Sequence, residues 1–124
     1  MHALSEALDF YCGVLGGVVG RQQAQWGDVI LFGQQLTLQQ QPDQVLPRAQ
    51  RGGRHFGFIL DWNEWEALAD RVQLTSPRSV LARERRAPDS LEEHVKLLLE
   101  DPSENLIQIK AYRELRSIGS ALVG

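Results

Sequence analysis

The side chains of this 124-residue chain that could do chemistry are few: one cysteine, three histidines, a carboxylate pair and a basic cluster. Cys12 could be a nucleophile. It stands among Phe10, Tyr11, Val14 and Leu15 with no adjacent base or thiolate-stabilising charge, so it reads as a packing residue. Glu92-Glu93 could form a general acid/base pair, but neighbours on a strand point to opposite faces, which argues against a dyad. The Arg83-Glu84-Arg85-Arg86 cluster could hold a phosphate and reads instead as a solvated strand end. His94, next to Glu92 and Glu93, reads as a surface residue at a strand end, with a cavity-facing position as the other option. Glycine-rich phosphate loops, Cys-x-x-Cys pairs and Gly-x-Ser-x-Gly elbows are absent from the sequence.

The elements that must position these residues follow from periodicity. Leu4, Ala7, Leu8, Tyr11, Val14 and Leu15 recur at three and four, predicting an amphipathic helix that Gly16-Gly17 ends. Three strands are expected next, Val18 to Trp26, Asp28 to Phe32 and Gln35 to Gln40, broken at Gly27 and at Gly33-Gln34. Residues 42–53, with Pro42, Pro47, Gly52 and Gly53, read as a linker. Beyond it the sequence predicts a strand from Arg54 to Asp61 and a helix from Asn63 to Gln73, capped by the Asn63/Glu66 spacing. Trp62 and Trp65 would pack that helix onto its sheet. Strands from Ser79 to Arg86, His94 to Glu100 and Leu106 to Tyr112 complete the chain, before a tail from Glu114 that could form a short helix or fray. Each half is thus a helix followed by three strands, and Glu6-Ala7-Leu8 echoes Glu66-Ala67-Leu68 sixty residues later. Only the second helix has a strand before it.

Composition narrows the function classes. At this size about two thirds of the unfolded surface can be buried, enough for one core without staples. A net charge of −3 with interspersed signs offers no field to gather nucleic acid. Apolar runs such as Leu97-Leu98-Leu99 are far too short to cross a bilayer, and no signal-peptide pattern opens the chain, so a cytoplasmic location is expected. The single cysteine excludes an internal disulfide. The glutamines between Gln22 and Gln50 interleave with strand formers and read as solvated faces and loop.

Three segments together resemble a known family. They are Phe10-Tyr11-Cys12-Gly13-Val14-Leu15-Gly16 at the end of the first helix, His55-Phe56-Gly57 on the strand opening the second half, and the Asp101-Pro102-Ser103-Glu104-Asn105 turn before the last strand. This combination is similar to the vicinal oxygen chelate superfamily, which includes glyoxalase I, bleomycin-resistance proteins and extradiol dioxygenases. The resemblance implies an α+β fold of two βαβββ modules forming a curled mixed sheet around a shared cavity. The modules would span about 1–41 and 54–113, with linker 42–53 and tail 114–124, and the first strand of the first module is missing from the sequence. The family commonly has valine where Met1 stands, so an upstream extension of about ten residues, a strand and its turn, is expected. Without it, an open sheet edge beside Leu106–Tyr112 would invite pairing and a homodimer.

Residue by residue, the resemblance places His55 at the histidine of the second module and Gln108 at the carboxylate of the terminal strand, with Glu104 where a glycine is usual. A neutral amide binds divalent ions more weakly than a carboxylate. The last strand of the first module offers Thr37 and Gln39 where glyoxalase-like members have an acid, and His2 falls in the helix approach. His55 remains as a metal ligand or an interior hydrogen-bonding histidine, and Gln108 reads as a cavity-wall group. The implied function is binding of a small molecule, with His55, Gln108, Gln39 and Trp26 as contacts, at a degenerate or incomplete metal site for iron, manganese, nickel or zinc. The alternative is a metal-dependent lyase or dioxygenase whose first ligand lies in the upstream strand. A third reading is a partner-binding role in which another chain supplies the absent strand.

Overall fold

Apolar residues at helical spacing carry α1 (Leu4–Leu8), which buries Leu4 and Ala7, in the computed structural model, which describes residues 1–114. The helix was expected to run regularly to Leu15. Instead Asp9–Val14 widens into a π-helical turn, with the Leu15 N–H donating to the Phe10 carbonyl at 3.0 Å. The reason lies in the spacing of the buried residues: Phe10, Tyr11 and Leu15 share one face only if the turn holds more than 3.6 residues. Gly16, at φ 84°, ends the element as the sequence predicts.

Residues 1–55 pack with 100–106 as one unit. Its strands β1 (Val18–Gln22), β2 (Trp26–Leu31) and β3 (Gln34–Gln39) form an antiparallel sheet in chain order. Gly27 does not separate strands as expected. It pairs with Gln22 and Leu38 inside β2, so Trp26 belongs to β2, and Gln23-Ala24-Gln25 makes the turn. Alternation sends Val29, Leu31 and Leu38 into the core with α1 and places Trp26, Asp28 and Ile30 on the other face. Residues 42–53 hold a 3₁₀ turn at Pro42–Gln44 and the one-turn helix α2 (Arg48–Arg51), whose two arginines converge on Glu100.

Residues 56–99 pack with 107–114 as a second unit. Here β4 (His55–Leu60), β5 (Val80–Arg86), β6 (His94–Glu100) and β7 (Leu106–Tyr112) form a mixed sheet in the order β4-β7-β6-β5. The helix α3 (Trp62–Thr75) buries Trp65, Leu68, Ala69 and Val72, and the core-facing strand residues are Val95, Leu97, Leu99, Ile107, Ile109 and Ala111. The Trp65 indole N–H donates to the Ile109 carbonyl at 2.8 Å, clamping α3 to β7. The expected Asn63/Glu66 cap is replaced by Asp61, whose carboxylate accepts from the Glu64 N–H at 2.9 Å, because the helix begins one residue earlier.

The sheet order corrects one expectation. β7 is interior, flanked by β4 and β6, so no open edge lies beside Leu106–Tyr112. The strand that precedes α3 pairs with the last strand rather than with its sequence neighbour, which leaves β4 and β5 as the edges. Contact between β4 and β7 is close enough that a Cβ on Gly57 would lie 1.8 Å from the Gln108 carbonyl oxygen. No helix among the described residues is long and apolar enough to cross a membrane.

Candidate functional site

On β6 and β7 the period of two separates a buried face from a polar one. His94, Lys96, Leu98 and Glu100 alternate with Val95, Leu97 and Leu99, and Gln108, Lys110 and Tyr112 alternate with Ile107, Ile109 and Ala111. Between β5, β6 and β7 this outward face holds a hollow of about 110 Å³ lined by Ala82, Glu84, Arg86, Lys96, Leu98 and Gln108. Arg86 and Glu84 pair with each other at 2.8 Å. Lys96 and Lys110 have no carboxylate partner among the described residues. Burial, and then the charge of Lys96, hold the Lys110 ammonium below its ordinary pKa.

Tyr112 closes the end of this face. Its ring stacks on His94 with centroids 5.3 Å apart, and the His94 Nδ1–H donates to the Glu92 carbonyl at 2.8 Å. His94 opens β6, half-buried on the polar face. The Tyr112 hydroxyl is buried and finds no hydrogen-bond partner among the described residues, and burial raises its pKa. Neither Lys110 nor Tyr112 was singled out from sequence, although both stand at the alternating positions that follow Gln108.

The other expected contacts are distributed as follows. Trp26 and Gln39 are register partners on β2 and β3, so those two meet; the Arg21 guanidinium lies 5.6 Å from the Trp26 ring centre. Opposite Thr37 the same face carries Asp28, an acid the sequence reading passed over. Its buried carboxylate accepts from the Thr37 hydroxyl at 2.8 Å and from Arg21 at 3.0 Å, and these bonds, Thr37 first, lower its pKa. The available signal was a charged residue amid the apolar alternation of β2. His55 opens β4 in an exposed position, with Nδ1 donating to the Gly53 carbonyl at 3.0 Å. Gln108 lines the hollow on β7. Among the described residues no three His, Cys, Asp or Glu side chains gather where they could hold a metal ion.

The basic cluster is neutralised by carboxylates. Arg83 pairs with Asp70, Arg86 with Glu84, and Arg85 with Glu93, which also takes Arg113 at 2.9 Å. Glu93 is buried and Glu92 exposed, the opposite-face arrangement expected of adjacent strand residues.

Two of the motif segments form a single device. The Asp101 carboxylate accepts from the Ser103 N–H at 2.8 Å, the Asn105 N–H at 2.9 Å and the Asn105 amide at 3.0 Å, and its fourth bond comes from the Tyr11 hydroxyl at 2.8 Å. Burial, then the Asp101 charge, push the Tyr11 pKa up. Glu104 takes φ 65°, the left-handed conformation that explains why a glycine is usual there.

No protein-family model and no curated protein matches the chain. Among solved structures, a glyoxalase/bleomycin resistance protein/dioxygenase from Alicyclobacillus acidocaldarius is 28% identical, covers 95% of this chain and 89% of its own, and superposes with a TM-score of 0.79. The fold is that of the vicinal oxygen chelate superfamily. Further superfamily structures align at lower identity. The fosfomycin resistance protein FosX from Listeria monocytogenes is 12% identical over 94% of this chain and 89% of its own, with a TM-score of 0.72. Lactoylglutathione lyase from Agrobacterium tumefaciens is 20% identical over 90% and 86%, with a TM-score of 0.66. These two speak for the vicinal oxygen chelate fold alone.

Proposed function

We propose that this vicinal oxygen chelate protein binds a small molecule without a metal ion, over the outward face of its four-stranded sheet around Gln108. One observation carries the reading: where the resemblance implies a metal-binding carboxylate, the chain has an amide, in a hollow whose neighbouring charges include Lys96 and Arg86. Cations repel a divalent ion, and the only acid among the described residues of the hollow, Glu84, is held by Arg86. The donor set therefore does not fit iron, manganese, nickel or zinc. What the face offers is an amide for orientation, apolar contact from Leu98 and Ala82, and flanking positive charge. Gln39 and Trp26, partners on β2 and β3, are proposed as a ligand contact in their own right, and His55 as another.

Calorimetric titration with iron(II), manganese, nickel and zinc tests this directly, alongside a small-molecule screen read on the Gln108 side-chain amide by NMR. The expected result is no stoichiometric metal binding, and ligands that shift the Gln108 signal. Stoichiometric binding abolished by His55→Ala would overturn the reading in favour of a metal-dependent lyase or dioxygenase.

A further inference from the structure

We propose that Lys96 and Lys110 form an anion clamp, and that the molecule this face takes carries a compact anionic group, carboxylate or phosphonate, on a short body. The inference rests on the binding role just assigned to the face and names the class of its ligand.

These are the chain's only two lysines, and they occupy neighbouring strands on one face of one sheet. Seven arginines are committed: Arg21, Arg48, Arg51, Arg83, Arg85, Arg86 and Arg113 all sit in ion pairs. The two ammonium groups are in none. Both are half-buried, neither meets a carboxylate among the described residues, and the charge of Lys96 disfavours that of Lys110. Such a pair destabilises the empty face and is relieved by an anion between them, which is the arrangement expected of a site built for binding rather than for stability. Glu84, the register partner of Lys96 on β5, is engaged by Arg86, whose Nε and Nη2 both reach its Oε2. Lysine suits the task because its ammonium is a compact point charge on a flexible stem, able to follow an anion of either carboxylate or phosphonate shape.

The rest of the face restricts the body of the ligand. The hollow of about 110 Å³ holds the volume of about four waters, so only a few non-hydrogen atoms fit within it. Leu98 and Ala82 favour an apolar stem, while the Gln108 amide can hydrogen-bond a carbonyl or hydroxyl. On the same face the buried Tyr112 hydroxyl has no hydrogen-bond partner among the described residues.

The two lysines make the test direct. Reductive ¹³C-methylation keeps their charge and yields one resonance for each lysine and one for the amino terminus, assigned with Lys96→Gln and Lys110→Gln. The methylated protein is titrated with methylphosphonate, propionate and neutral propionamide, while the Gln108 side-chain amide is followed in parallel. Saturable shifts of both lysine signals with an anion and none with propionamide are expected, with the stronger of the two anions naming the ligand type. Affinity should fall about tenfold in either glutamine variant, the loss of one charge-assisted bond, and survive in Lys96→Arg and Lys110→Arg. Lysine signals that stay unmoved to high-millimolar anion overturn the clamp. If propionamide or other neutral molecules then still shift Gln108, the clamp alone is wrong and the binding face stands; if nothing shifts Gln108, both fall.

Discussion

Single side chains carry more of this protein's stability than the motif residues suggest by themselves. Tyr11 donates to a carboxylate that also closes the turn at Asp101, so Tyr11→Phe removes a charge-assisted bond and leaves the acid with three donors. A loss of about 1.5–3 kcal/mol is expected in urea denaturation, with the secondary structure retained. Glu93 gives a pH-dependent counterpart. Its bonds to Arg85 and to the Asp89 N–H lower its pKa from the ordinary 4.5 to about 2, and Glu100 is lowered to about 2 by Arg48 and Arg51. A carboxylate whose folded pKa is depressed stabilises the fold fully above its unfolded value and loses that contribution as pH falls through the folded one. Stability should therefore fall between about pH 4.5 and pH 2, and Glu93→Gln should start lower at neutral pH and flatten that slope in thermal melts at stepped pH. The importance of Glu93 was not legible in the sequence: adjacent Glu92 and Glu93 look alike, and only burial distinguishes them.

At the scale of elements, legibility depended on how strict the alternation was. His94–Glu100 and Leu106–Tyr112 came out at their expected ends because both strands alternate fully between core and polar face. Gly27 misled because glycine serves both as a turn former and as a strand residue where another strand approaches closely. The π-helical turn at Asp9–Val14 was hidden for a similar reason, since apolar spacing near 3.6 tolerates one wide turn without losing its stripe. Gly57 is the position where element packing is most exacting. A Cβ there would meet the Gln108 carbonyl, so Gly57→Ala must push β4 off β7. The expected cost is about 1–3 kcal/mol, the range of an overpacked core, with faster amide hydrogen exchange confined to β4 and β7.

For the molecule as a whole, net charge and composition are a poor guide to the site. The chain is acidic at −3, yet the hollow beside Gln108 is lined by Lys96 and Arg86. Gln108→Glu is accordingly expected to recruit Lys96 or Lys110 rather than a metal, leaving calorimetric metal affinity unchanged and weakening anion binding. A gain of stoichiometric metal binding in that variant would count against the cationic character assigned to this face. The sequence by itself determined the superfamily resemblance, the α+β class, the order of the elements and the amide at position 108, because each is written in local spacing or in a short motif. The tertiary structure alone decided which strands lie side by side: that β7 is interior, that Asp28 faces Thr37, that Tyr11 reaches Asp101, and that two lysines fourteen residues apart share a face. Periodicity tells a side chain which face it occupies, but its lateral neighbour is set by long-range pairing, whose energy comes from contacts between segments distant in the chain.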